Sequence, residues 1–276
     1  MKVEEKDIEI LVSTMNRNSL NFLYQMFPDF NSFYFRILVV NQTTPENILH
    51  SSHKNIRVIN TYTIGLSRSR NIALKNACGT ILVISDDDVI FEKYFYKTIL
   101  KNYTDLPNTN LICFQAKRDK NTLLKKYPSQ KKKNINAMDI LNVANIEITI
   151  NRQNINFSDL TYNSFFGLNA LFGLGEEAAF LWNLKKKGYK IDFIPETIVT
   201  HPNITTTDKI NFNEKYFAYG ALYSQMFDNK FIFWLFLKLF FDLKHGHLKY
   251  PNLKKAFLMG LKGKTKYLEV SKQNSL

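Results

Sequence analysis

Thr80-Ile81-Leu82-Val83-Ile84-Ser85-Asp86-Asp87-Asp88-Val89 (residues 80–89) sets three carboxylates directly after a continuous aliphatic run. The run is too short for a helix and lacks polar alternation, so it predicts a strand buried on both faces, as in a parallel sheet covered by helices. Four further runs have the same character: IEILVST (8–14), RILVVNQ (36–42), NIRVINT (55–61) and NLICFQA (110–116). Before the aspartates, Ser67 is expected to cap a helix that places Ile72, Ala73 and Leu74 near its buried side and stops at Cys78-Gly79. The repeated β-α order predicts an α/β fold, a Rossmann-like, mostly parallel sheet flanked by helices. Its ligands are expected beyond the carboxyl ends of the strands, where the three aspartates stand.

Composition limits the choices. With 276 residues, 45% of them hydrophobic, the chain can bury a substantial core, which excludes overall disorder. The 37 Lys and Arg against 24 Asp and Glu give a formal charge of +13, which favours a polyanionic partner: nucleic acid, an anionic membrane or a phosphorylated substrate. Cys78 and Cys113 are the only cysteines and lie far apart in apolar surroundings, which argues against a disulfide framework or a Cys-based zinc site and fits a reducing cytoplasm. MKVEEKDIEILVSTMNR opens with charges of both signs and then has too short an apolar run for a secretory segment, so no signal peptide is expected. Asn-x-Ser/Thr triplets at Asn41 and Asn203 follow from the abundance of Asn.

Downstream, KRDKNTLLKKYPSQKKK (117–133) interrupts the pattern as a solvated mobile loop or an electrostatic contact surface. NIEITIN (145–151) predicts a strand, and YNSFFGLNALFGLGEE (162–177) is an aromatic passage containing Gly. EEAAFLWNLKKKGY predicts a helix with Ala178, Leu181 and Trp182 on one face, stopped by Gly188, and KIDFIP and TIVTHP predict a strand pair around Pro195. FIFWLFLKLFF (231–241) is intensely apolar but holds Lys238 and falls short of the ~20 residues of a spanning helix. Lysines follow it at 244, 249, 254, 255, 262, 264 and 266. Two readings stay open for it: an interfacial helix on an anionic bilayer, or helices packed on the sheet domain or on a second chain.

Carboxylates at the end of a buried strand repel one another unless a cation joins them, and Mg²⁺ or Mn²⁺ suits oxygen ligands completed by substrate phosphates. Positions i and i+2 of an extended backbone point the same way, so Asp86 and Asp88 are expected to share one site while Asp87 faces elsewhere. The alternative is an acidic turn that caps the helix of FEKYFYKTILKNY. Arg68 and Arg70 are expected on the rim of the same crevice, with STMNR and Asn41-Gln42 at neighbouring strand ends. Neither G-x-G-x-x-G nor G-x-x-x-x-G-K-[ST] occurs.

The ordered set STMNR, VVNQ, GLSRSRN with TILVISDDDV, then GLGEEAAFLWNLKKKGYKIDFIP and VTHP, over roughly residues 8–202, resembles a bacterial family 2 glycosyltransferase of the GT-A fold. The resemblance implies that Thr14, Asn16, Arg17, Asn41 and Arg70 bind the nucleotide of a sugar donor, and that the DxD-type run contacts the donor and a metal. Asp86 and Asp87 then belong to the nucleotide-sugar set, and Asp88, Asp86 and His201 to the Mn²⁺ or Mg²⁺ set. It also implies an acidic pair at a helix start whose second member is the catalytic base. Here that pair is Glu176-Glu177, with Glu177 as base and Glu176 as its orienter or substitute. Two positions depart from the family pattern: Asn41 stands where Asp is usual, and Met15 where an aromatic often stacks on the base.

The expected function is therefore an inverting, metal-dependent transfer of sugar from a nucleotide-sugar, a UDP-sugar by resemblance, to a hydroxyl of a saccharide or lipid-linked saccharide. Bacterial surface polysaccharide synthesis is the matching role. The expected location is the cytoplasm, with peripheral contact on the inner face of the membrane, no nucleic-acid partner, and room for a homo-oligomer. Residues 1–205 are expected to form the catalytic domain (1–117 for the donor, 134–205 for acceptor and catalysis) and 206–276 a helical basic-apolar extension. A nucleotidyltransferase and a basic nucleic-acid-binding protein are the competing classes; the first should show an early Gly-rich phosphate loop and the second a groove-reading motif.

Overall fold

The computed structural model describes residues 4–28, 33–201 and 210–273. Strands β1 (Ile8–Met15), β2 (Arg36–Gln42), β3 (Ile56–Thr61), β4 (Ile81–Asp86), β5 (Ile90–Phe91), β6 (Leu111–Lys117), β7 (Ile148–Asn151) and β8 (Ile191–Thr200) form one sheet in the order β3-β2-β1-β4-β7-β6-β8-β5. β1 pairs in parallel with β2 and β4, β2 with β3, and β6 with β8, whereas β7 and β5 run antiparallel to their neighbours. Side-chain alternation explains the continuous apolar runs. Leu11, Leu38, Leu82 and Ile84 enter the core on one face, and Ile10, Val12, Val39 and Val83 enter a second core on the other. Each such burial is worth about 1.5–3 kcal/mol, so a strand exposed on either face would forfeit several of them. In register, Met15 lies beside Gln42 and Ser13 beside Asp86, which brings the carboxyl ends of β1, β2 and β4 to one level.

The helices on the two faces are α1 (Phe22–Met26), α2 (Leu66–Asn76), α3 (Phe95–Asp105), α4 (Ala137–Ile140) and α5 (Glu176–Lys186). Ser67 is not the cap of α2: Gly65 holds that position at φ 133°, and the buried Ser67 Oγ donates to the Phe166 carbonyl at 2.6 Å. The aspartates do not cap α3, because β5 intervenes and Tyr94 holds the cap in the left-handed region. Residues 145–147 form a 3-10 turn, so only 148–151 pair as a strand. Pro195 interrupts nothing: β8 runs through it, and the register with β6 shifts between Cys113 and Ala116, a place where a residue without an N–H is tolerated. The basic segment 117–133 is anchored, since Lys125 pairs with the buried Glu147 at 2.8 Å and Lys132 exchanges backbone bonds with Phe193. The VTHP motif is described only as far as His201; Pro202 and Asn203 lie outside the described residues.

The last part of the chain forms α6 (Phe212–Phe227), α7 (Phe231–Lys244) and α8 (Leu253–Gln273). A Cβ on Gly220 would meet the Gly260 carbonyl oxygen at 1.9 Å, and one on Gly263 would meet the Phe217 oxygen at 1.9 Å, so α6 and α8 pack backbone to backbone. Apolar residues of α6 and α7, among them Leu222, Phe231 and Leu235, share one cluster with Leu82 and Ile84 of the sheet and Phe180 of α5. Among the described residues no helix is long and apolar enough to cross a membrane.

Candidate active site

The site begins where β1 ends. Asn16 adopts φ 54°, a left-handed conformation that Asn tolerates, and its N–H donates to the Gln42 carbonyl at 2.8 Å. The turn aims Arg17 at the aspartates: its Nε and Nη2 lie 2.8 and 2.7 Å from Asp87 Oδ2, which also accepts from Thr14 Oγ1 at 2.5 Å. Asp87, expected to face elsewhere, is thus the carboxylate held to the end of β1. Asn41 is fully buried; its amide accepts from the Arg17 N–H and donates to the Arg17 carbonyl and Asn60. These bonds brace the turn that follows β1.

Arg70 occupies the centre. Its side chain is 2% exposed, with Nη2 2.7 Å from Asp86 Oδ1 and Nη1 2.9 Å from Glu176 Oε1. Its position is therefore buried, not on an open rim, although it lines the cleft. Burial works against the cation, but the carboxylates of Asp86 and Glu176 outweigh it and hold its pKa above the ordinary range. Asn145 Nδ2 donates to the same Glu176 oxygen at 3.1 Å, and Tyr162 Oη donates to Asn145 Oδ1 at 2.7 Å. Tyr162 also stacks on Phe180, one turn along α5 from Glu176, with ring centroids 4.2 Å apart. Gly167, at φ 103°, lets the loop press on this group, since a Cβ there would stand 3.3 Å from Glu176 Cδ. Asn145, Tyr162 and Gly167 were not singled out from sequence. Only the aromatic passage before the acidic pair hinted at Tyr162, and no spacing rule points to Asn145.

Glu176 and Glu177 open α5, where the helix dipole favours negative charge. Their fates differ. Glu176 is tied to Arg70 and Asn145, whereas Glu177 Oε2 is out of solvent's reach and has no hydrogen-bond partner. Burial and then the neighbouring Glu176 raise the Glu177 pKa well above the ordinary 4.5. Both glutamates line a cleft of about 790 Å³ together with Arg70, Asp86 and His201, and residues of α7, among them Trp234 and Lys238, line the same space.

The three expected metal ligands do not converge. His201 Nε2 lies 3.4 Å from Asp88 Oδ1, while Asp86 turns to Arg70. Among the described residues no group of three or more His, Cys, Asp or Glu is placed to hold a metal ion. The Asp88–His201 pair offers a carboxylate oxygen and an imidazole nitrogen, donors that would suit Mn²⁺ or Mg²⁺.

The model of the family described as glycosyl transferase family 2 matches residues 8–169, more than half of the chain, and stops just before the acidic pair. Among solved structures, the chain is similar to Staphylococcus aureus TarS 1-349, with 16% identity and a TM-score of 0.52 over 80% of this chain and 65% of that one. Its complexes with UDP (17% identity, TM-score 0.52, 80% and 65% covered) and with UDP-GlcNAc (16%, 0.52, 80% and 66%) are equally similar. The chain spans less than two thirds of the length of these TarS chains, and at such identity the likeness shows a shared fold, a GT-A-type sheet. No curated protein matches the chain. The family match supersedes the nucleotidyltransferase and nucleic-acid-binding alternatives: with Asp86 and the two helix-start glutamates lining one cleft, the chain belongs to glycosyl transferase family 2.

Proposed function

We propose that the chain transfers a sugar, with inversion, from a UDP-sugar to a hydroxyl of a saccharide or lipid-linked saccharide, with Glu177 as the general base. The observation that carries this is Glu177 itself, a lining residue of the cleft whose Oε2 is buried without a hydrogen-bond partner. In the reaction the acceptor oxygen attacks the anomeric carbon, its proton passes to the Glu177 carboxylate, and the bond to the diphosphate breaks to release UDP. Glu176, fixed by Arg70 and Asn145, keeps negative charge beside Glu177 and makes it a stronger base. Thr14, Arg17 and Asp87 form the donor-side wall at the carboxyl ends of β1 and β4, with Asn16 and Asn41 shaping the turn behind them. A bound Mn²⁺ or Mg²⁺ would neutralise charge on the departing diphosphate, and Asp88 and His201 are the residues that would hold it. In this reading residues 1–205 supply donor binding and catalysis, and α6 and α7 of the 206–276 extension wall the acceptor side; a surface polysaccharide is the fitting product.

Two of the similar TarS structures are complexes with UDP and with UDP-GlcNAc, which supports the choice of donor class. The test is release of nucleoside diphosphate from a panel of nucleotide-sugars with Mn²⁺ or with chelator, using wild type and Asp88→Ala. Turnover with at least one UDP-sugar, reduced at least about tenfold by chelator and by the substitution, is expected. Absence of turnover and binding with every donor defeats the proposal.

A further inference from the structure

Helix α7 has three faces in three environments. Phe231, Leu235 and Leu239 are buried in the packing with α6 and α8. Trp234, Leu237, Lys238 and Phe241 line the cleft that holds Glu177. Ile232, Phe233, Phe236 and Phe240 face outward, 41%, 62%, 56% and 59% exposed. Positions 232, 236 and 240 recur every four residues with 233 beside them, so these side chains form one stripe along the helix.

The surroundings of the stripe are cationic. Lys230 precedes α7, Lys244 and Lys249 follow it, and Lys254 and Lys255 open α8, all of them exposed. Between Lys230 and Leu268 the sole acids are Asp242 and none other, and Asp242 is buried, accepting from Tyr216 Oη and Lys238 Nζ. A water-facing row of large apolar groups, framed by lysines with no exposed acid among them, matches a partner with an apolar interior and an anionic surface.

We propose that α7 docks on an anionic lipid bilayer, with Phe233, Phe236 and Phe240 among the acyl chains and the flanking lysines on the headgroups. The neighbouring face of the same helix, roughly a third of a turn round, walls the cleft, and a helix is about 10–12 Å across. Docking therefore sets the cleft beside the membrane surface, where an acceptor held in the bilayer reaches Glu177. Docking rests on the α7 surface and not on the transfer chemistry, so the two are tested apart.

The experiment is flotation of the full chain with vesicles of phosphatidylglycerol mixed with phosphatidylcholine, and with phosphatidylcholine alone. Wild type is expected to float with the anionic vesicles and to be released by salt. Phe233→Ser/Phe240→Ser is expected to lower partitioning at least about tenfold, and Lys249→Glu/Lys254→Glu at least about fivefold for each lysine. Both variants should keep the wild-type thermal melt and the wild-type rate of UDP release in solution. Equal flotation of wild type and variants overturns the proposal. So does a wild-type dimer that Phe233→Ser/Phe240→Ser converts to monomer without any vesicle binding, which would make the stripe an interface between copies. Vesicle binding without UDP release would leave docking standing and sink the transfer reading.

Discussion

The two acidic runs of this chain are close in composition and opposite in circumstance. In Asp86-Asp87-Asp88 each carboxylate goes to a basic side chain: Asp86 to Arg70, Asp87 to Arg17, and Asp88 to His201. In Glu176-Glu177 the first carboxylate is bound to Arg70 and Asn145, and the second keeps one buried oxygen bare. A carboxylate given a cation is held in place as an anion; one deprived of water and set beside another anion becomes a stronger base. Partnering, more than residue type or order, separates the tied acids from the bare one here.

The largest effect that bears on this contrast is expected from Glu177→Gln. It should lower kcat about 10²- to 10⁴-fold while UDP affinity by calorimetry stays within about twofold, and Glu176→Gln should cost less. A greater loss in Glu176→Gln would reverse the two roles. Arg70→Met probes the shared cation. It leaves Asp86 and Glu176 without their bridge, and a loss of about 3–5 kcal/mol is expected in urea unfolding, because a broken buried pair strands its charges. An unchanged midpoint would show that the bridge carries no stability.

The smallest effect sharpens the contrast through pH. Glu177 has a folded-state pKa raised above its unfolded value, chiefly by burial, so the native state binds that proton more tightly. Its contribution to stability is full below the unfolded pKa and is lost as pH rises through the raised one. As the proposed base, Glu177 must be ionised, so activity should move oppositely, falling about tenfold per pH unit below the raised pKa. Melting temperature against pH, compared with Glu177→Gln, should show wild type losing relative stability over the window in which kcat/KM rises. Parallel curves for the two proteins would place the acid limb on another group.

Much of the sheet was legible because each strand advertises itself locally. TILVIS, IEILVST and RILVVNQ became β4, β1 and β2 with ends shifted by about a residue. The errors lie where distant partners decide. Pro195 reads as a break until the shifted pairing with β6 accommodates it, and NIEITIN reads as one strand although only 148–151 find neighbours. Ser67 reads as a cap, yet its hydroxyl is claimed by Phe166, 99 residues away.

The same division runs through the site. Strand-end aspartates and helix-start glutamates stand out in sequence because charge beside an apolar run is costly and therefore conspicuous. That Arg70 joins the two groups could not be read in the same way: its partners are 16 and 106 residues off, and an arginine in a helix carries no local mark of what it will meet. The amide of Asn145 and the phenol of Tyr162 leave still less trace, since neutral polar side chains obey no periodicity. Local pattern was enough for the α/β sheet, the strand-end position of the aspartates and the helix that begins at Glu176, because hydrophobic burial follows the short repeat of strand and helix. Which carboxylate would be neutralised and which left bare was settled by packing alone, because desolvation and ion pairing act through space between residues that the chain keeps far apart.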